Sequence, residues 1–122
     1  MESGSASETQ TQKGGKTVNE GNERNSVRNN PDLGRFEIEV DGLMCVAEYE
    51  LRPDGIAFTH TVVPPELGGR GLGTLLVEAG LAHARSQKLP VIPHCAFFQR
   101  FMQRHPETHD LVHPEYRHVI GL

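Results

Sequence analysis

No run of about 18 apolar residues occurs in the 122-residue sequence, so no membrane-spanning helix is expected. The first residues lack the apolar centre of a secretory signal. Position 2 is Glu rather than Gly, and no prenylation cysteine stands at the C-terminus, so neither export nor lipid attachment is expected. Cysteine is scarce, with only Cys45 and Cys95. Absent an export signal, both are read as free thiols of a reducing, cytoplasmic compartment. Clustered positive charge is also missing. Residues 33–122 carry 8 basic residues, singly placed, against 11 acidic ones. A phosphate-binding face wants Lys and Arg grouped, so neither nucleic acid nor membrane is expected as a partner. Apolar residues are nearly absent at the start, where residues 1–32 hold only Met1, Ala6, Val18 and Val27. Such a segment cannot bury enough surface to offset the entropy of ordering, and 1–32 reads as a disordered N-terminal tail. Residues 33–122 remain as one compact domain, small but able to build a core.

Within that domain, Phe36, Ile38 and Val40 alternate with Glu37 and Glu39, the period of a half-buried strand. Asp41-Gly42 predicts a two-residue hairpin turn, because both central positions need φ > 0. A second strand follows over 43–52, with Leu43, Cys45, Ala47, Tyr49 and Leu51 on one face. Pro53-Asp54-Gly55 predicts another tight turn, and 56–63 a third strand that Pro64-Pro65 ends. From Leu72 the period changes to 3.6, and Leu72, Leu75, Leu76, Ala79 and Ala82 form the expected buried stripe of a helix. A short strand over 90–94 and a second helix containing Phe97, Phe98, Phe101 and Met102 come next, the helix ended by Pro106. The three phenylalanines are read as core. The fold class is mixed α/β: an antiparallel three-stranded meander followed by a β-α-β-α unit, whose crossover puts the third and fourth strands parallel.

Between the third strand and the first helix stands Gly68-Gly69-Arg70-Gly71-Leu72-Gly73. Glycines there remove Cβ atoms and let successive N–H groups point at an anion, and the following helix adds the positive end of its dipole. That combination suits a pyrophosphate. It is not a Walker A loop, since Thr74 follows Gly73 with no Lys between. It is not a Rossmann fingerprint either, because Leu76 occupies the place of the third small residue.

The stretch His60-Thr61-Val62-Val63-Pro64-Pro65-Glu66-Leu67-Gly68-Gly69-Arg70-Gly71-Leu72-Gly73 resembles the acetyl-CoA-binding motif of the GNAT-type N-acetyltransferase superfamily, most closely its compact single-domain branch. The resemblance continues through Val91-Ile92-Pro93-His94-Cys95 and Arg104-His105-Pro106-Glu107. It implies a GNAT-like acyl-CoA N-acyltransferase fold with acetyl-CoA as co-substrate. Backbone groups of Val62 and Val63 would hold the pantetheine arm between splayed third and fourth strands. The amides of Gly68, Gly69, Arg70, Gly71, Leu72, Gly73 and Thr74 would cradle the pyrophosphate of coenzyme A. The superfamily usually carries Arg or Gln at the place of Gly68, a side chain on which the backbone cradle does not depend. The compact branch has a cysteine at the place of Cys95, proposed there as an acetyl acceptor.

Cys95 is the first candidate for chemistry. It precedes the second helix, and a helix N-terminus favours a thiolate. Cys45, on the apolar face of the second strand, reads as core. His60 and His94 border the inferred cleft and are candidates for the base that takes a proton from an attacking amine. Glu66 is read as solvated. His105, His109, His113 and His118 have near-helical spacing, but Pro106 and Pro114 interrupt any shared helix, and no metal is expected. The expected activity is transfer of an acetyl group to an amine, by direct attack or through a Cys95 acetyl-thioester. The rival readings are a non-catalytic acyl-CoA-binding module and a protein-interaction domain that keeps only the fold. The acidic balance favours a basic acceptor, a small-molecule amine or a Lys-bearing peptide. So small a domain leaves part of the acceptor site to the tail or to a second copy of the chain in a homodimer.

Overall fold

Four antiparallel strands and one parallel strand make a single sheet in the order β1-β2-β3-β4-β5. The computed structural model describes residues 27–122. The strands are β1 (Arg28–Asn30), β2 (Arg35–Val40), β3 (Leu43–Arg52), β4 (Gly55–Val62) and β5 (Val91–Pro93). Helix α1 (Leu72–Gln87) crosses from β4 to β5, and α2 (Ala96–Arg104) follows β5. The β2–β3 turn has Asp41 at φ 54° and Gly42 at φ 77°, the paired positive values its sequence predicts.

Strand β1 corrects the expected tail. Residues 28–30 were assigned to it by composition, yet they pair with β2, Arg28 opposite Glu37 and Asn30 opposite Arg35. The expected meander therefore has four strands, not three. The part of the expected tail at 1–26 lies outside the described residues. Strand β1 contributes no apolar stripe; a polar network holds it. Glu37 is only 2% exposed although its alternation places it on the wet face. Its carboxylate accepts from Arg35 Nε at 2.6 Å, Asn30 Nδ2 at 3.0 Å and Arg28 Nε at 3.2 Å. Tyr49 Oη donates to Asn29 Oδ1 at 2.6 Å. A buried carboxylate is tolerated only with such partners. The Arg35 hydrogen bond leads in holding the Glu37 carboxyl below its ordinary value, against the opposing cost of burial.

On the other face lies the core, where Phe36, Ile38, Cys45, Ala47, Tyr49 and Phe58 pack against the helices. The buried side of α1 is rotated from the expected stripe. Leu72, Leu76, Val77, Leu81 and Ala84 are buried together with Gly73 and Gly80, while Leu75 and Ala79 are half-buried and Ala82 is exposed. Two contacts at glycine set this rotation. A Cβ on Gly80 would stand 2.8 Å from the Phe58 ring, and one on Gly73 would stand 2.7 Å from the Phe97 ring. Each glycine lets a ring approach the helix backbone. Leu51, expected on the core face, lies beside the β3–β4 turn and is exposed. In α2, Phe98 and Met102 are core, and Phe58 and Phe98 stack with centroids 4.2 Å apart. Phe97 and Phe101 pack against that core only in part, being half-buried on the other side of the helix.

After α2 come two 3-10 helices, Pro106–Leu111 and Pro114–Ile120. Each starts with the Pro of a His-Pro-Glu triplet, where a proline's missing N–H costs nothing. Between them Val112 bridges to Val91, and His113 N–H donates to Val91 O at 2.8 Å, so the chain end lines the free edge of β5.

Candidate active site

The site begins where the sheet comes apart. Strands β4 and β5 are in parallel register at Ile56–Val91, Ala57–Ile92 and Phe58–Pro93, and there the pairing stops. Cys95 N–H donates to Phe58 O at 2.9 Å at the fork. Beyond it the chain from β5 turns into α2, while β4 runs on beside β3 alone. An irregularity marks the same place. Tyr49 opposes Phe58 but Glu48 opposes His60, so Thr59 is an extra residue in β4. Such a bulge bends the strand and re-aims the side chains after it. The edge of β4 from Thr59 to Val62 thus faces no described strand, and Val62 is 52% exposed. Val63 is packed against the core.

Downstream of β4, Leu67 is buried and anchors a 3-10 helix over Pro65–Leu67. Gly68 N–H donates to Pro65 O at 3.1 Å. The cradle expected to begin at Gly68 therefore has its first unspent amide at Gly69. Gly69 and Gly71 have φ of 83° and 76°, and a Cβ on either would meet nothing within 4 Å. Gly71 is the N-cap of α1 and offers no side-chain cap; the first helix-closing bond is Leu75 N–H to Gly71 O at 3.1 Å. The N–H groups at the start of a helix have no partner within it. Among the described residues none accepts from the amides of Gly69 to Thr74. This run of donors, at the positive end of a 16-residue helix and exposed at Gly69, Arg70 and Gly71, fits a pyrophosphate. Arg70, the loop's cation, reaches back to Asp41 at 3.2 Å, an exposed pair that is easily exchanged.

Cys95 lies at the fork, 7% exposed, as the N-cap residue of α2. Its Sγ is 3.3 Å from Thr61 Oγ1. Thr61 opposes Ala47 of the core face, whereas His60 opposes Glu48 on the other face. His60 and Cys95 thus work from opposite sides of β4 and form no Cys–His pair. His60 is largely exposed, with Nδ1 3.5 Å from Glu48 Oε1. His94 is exposed and its ring meets Tyr116 edge-on at 5.6 Å, so this histidine is partnered by the C-terminal segment. Glu66 is exposed. Cys45 is fully buried, and burial pushes its thiol up, which suits the core reading.

The four C-terminal histidines diverge. His105 stacks on Phe101 and reaches Glu107, His109 Nε2 is 2.7 Å from Met102 O, and His113 Nε2 is 3.2 Å from Asp54 Oδ2. Among the described residues no group of three or more His, Cys, Asp or Glu side chains is arranged to hold a metal ion. A feature absent from the sequence reading is a cavity of about 240 Å³ beside the loop, lined by Thr74, Phe97, Arg100, Phe101, Arg104 and His105. The spacing 97, 100, 101, 104 is one face of a helix and was the available signal.

No curated protein matches the chain. A family model described as a GCN5-related N-acetyl-transferase matches residues 35–111, from the start of β2 to the end of the first C-terminal 3-10 helix. With the forked mixed sheet and the glycine loop inside that span, the chain belongs to the GCN5-related N-acetyltransferase family.

Proposed function

We propose that the protein uses acetyl-CoA to acetylate an amine. One observation carries this: the unpaired edge of β4 leads, through the short 3-10 helix Pro65–Leu67, into a loop whose amides from Gly69 to Thr74 are unspent. An amide-bearing pantetheine arm can add to that edge as a strand adds to a sheet. The loop then receives the pyrophosphate, and the arm's thioester end points back toward the fork at Cys95.

At the fork the acceptor nitrogen bonds to the acetyl carbon, its proton passes to His60, and the carbon–sulfur bond breaks to leave free coenzyme A. Glu48 beside Nδ1 orients the imidazole and leaves Nε2 for the proton. The location of Cys95 supports a second, covalent route. Its sulfur accepts the acetyl group first, releasing coenzyme A, and the amine then takes the group from Cys95. Glu39, Glu48 and Glu50 on the His60 side of the sheet favour a cationic acceptor.

The test is to incubate the full chain with acetyl-CoA and record intact mass, with Cys95→Ser as control. A stoichiometric acetyl adduct lost in the variant supports the covalent route. Release of free coenzyme A on adding polyamines or Lys peptides, with no adduct, supports direct transfer. Binding without release on any amine points to a binding module, and no binding sinks the proposal.

A further inference from the structure

The side of the sheet away from the helices is acidic, and the N-terminal part of the chain enters the fold beside it. Both helices pack on the face of Phe36, Ile38 and Cys45. On the opposite face Arg28, Glu37, Val46 and Val62 form one row across β1, β2, β3 and β4. Strand β1 is antiparallel to β2 and therefore to β4, so the chain enters β1 at the end where β4 leaves the sheet for the glycine loop. Arg28 stands three strand spacings from Val62, about 14 Å. Beside Arg28 this face holds a cavity of about 250 Å³, lined also by Glu37, Glu39 and Met44. Glu39 is exposed, and among the described residues its carboxylate joins no ion pair. Glu48, next to His60, extends the acidic surface toward the fork.

The sequence supplies a matching occupant. Of its 12 basic residues only Lys13, Lys16 and Lys88 are lysines. Arginine stays protonated and is no nucleophile, so these three carry the side-chain amines of the chain. Lys88 caps the far end of α1, a 16-residue helix about 24 Å long that starts at the loop. Lys13 and Lys16 stand in the stretch 9–19, which holds no Asp or Glu, so its two positive charges complement the acidic face. Gly14 and Gly15 beside Lys16 carry no side chain to hold it off a surface. Lys16 stands 12 residues before Arg28, a length that spans at most about 40 Å, well beyond the three strand spacings from Arg28 to β4. Of the two N-terminal lysines it has the shorter tether, hence the higher effective concentration at the site.

We infer that the helix-free face of the sheet seats residues 13–16 of the same chain, and that Lys16 is acetylated there. The inference rests on the acetyl-CoA reading and names its amine. The Lys16 nitrogen bonds to the acetyl carbon as the carbon–sulfur bond breaks. Its ammonium gives up two protons, one through His60 to solvent and one to the departing coenzyme A thiolate.

The experiment incubates the full chain with acetyl-CoA and no added amine, then treats it with neutral hydroxylamine, which cleaves a thioester on Cys95 and spares an amide. Intact mass and peptide mapping are expected to show a stable acetyl group on Lys16, with Lys88 unmodified. The rate per chain is independent of chain concentration, as an intramolecular reaction requires. Lys16→Arg keeps the charge and removes the adduct. His60→Ala slows its formation about a hundredfold, and Glu39→Gln about two- to fivefold. A chain that releases coenzyme A on added polyamine but forms no stable adduct overturns the inference and leaves the acetyl-CoA reading standing. An undiminished adduct in Lys16→Arg, equal acetylation of Lys88, or an unchanged rate in His60→Ala overturns it as well. A rate per chain that rises in proportion to concentration assigns the lysine to a second copy and overturns the intramolecular acceptor. An unchanged rate in Glu39→Gln overturns the seat on this face. Neither adduct nor release of coenzyme A overturns both readings.

Discussion

Thr61 Oγ1 lies 3.3 Å from Cys95 Sγ across the fork where β4 and β5 part. The hydroxyl is the one side-chain group at hydrogen-bond distance from the sulfur among the described residues. As a donor it stabilises a thiolate more than a thiol. Thr61→Val keeps the shape and removes the donor. Acetyl adduct formation on Cys95 is expected to slow about tenfold, a loss within the range of a hydrogen bond to a charged group. Intact mass against time gives the rate. An unchanged rate would show that Thr61 serves packing alone.

On the other side of β4, His60 and Glu48 make a separate prediction. His60→Ala is expected to lower kcat for an amine acceptor by about a hundredfold, with the affinity for coenzyme A unaltered because the ring lies away from the loop. Glu48→Gln, which only orients the ring, should lower kcat several-fold and leave KM unchanged. Adduct formation on Cys95 should survive both changes, since the two residues lie on opposite faces. Steady-state kinetics beside the intact-mass assay checks the separation; parallel loss in both assays contradicts it.

The elements best read from the sequence were those with apolar periodicity or turn chemistry. Asp41-Gly42 and the alternation in β2 and β3 place the hairpin, and Pro64-Pro65 with the glycines places the loop. Strand β1 was invisible because Arg28, Asn29 and Asn30 bury no hydrocarbon; a single carboxylate and a tyrosine hydroxyl hold them. The rotation of α1 was missed because Gly73 and Gly80 make their contacts through lacking a side chain, which a pattern of apolar residues does not register. Phe97, read as core, packs against it only in part, because it lies edgewise on Gly73 and lines a cavity with Phe101. The bulge at Thr59 carries no residue signature, so the strand expected over 56–63 could not show that His60 and Cys95 serve different faces.

Gly71 and Gly73 should separate two kinds of glycine in one loop. Gly71 points into open space at φ 76°, so Gly71→Glu is expected to cost about 1–2 kcal/mol of stability and to abolish coenzyme A binding through charge in the cradle. Gly73 is pressed against Phe97, so Gly73→Ala is expected to cost about 1–3 kcal/mol by forcing the ring aside. Adding Phe97→Leu should restore much of that stability. Urea denaturation with a binding titration distinguishes the cases. Normal coenzyme A affinity in a folded Gly71→Glu chain would remove the loop from the site.

Glu37 gives the pH dependence of the fold. Its carboxyl is held below the ordinary value of 4.5, first by the Arg35 hydrogen bond and also by Asn30 and Arg28. A group depressed in the folded state binds protons more readily when the chain is unfolded. It therefore stabilises the fold at pH above its unfolded value, and that contribution disappears as pH falls through the lower folded value. Glu107 and Asp110 are shifted in the same direction, so the unaltered chain loses stability in acid for several reasons at once. Glu37→Gln isolates one of them. The variant is expected to be less stable by about 1–2 kcal/mol near neutrality, since it forfeits charge-assisted bonds on a buried group. Between about pH 5 and pH 3 its melting temperature should fall less steeply than that of the unaltered chain, so that the two curves converge in acid. Parallel curves would mean that the network around β1 holds the carboxyl no more strongly than water does.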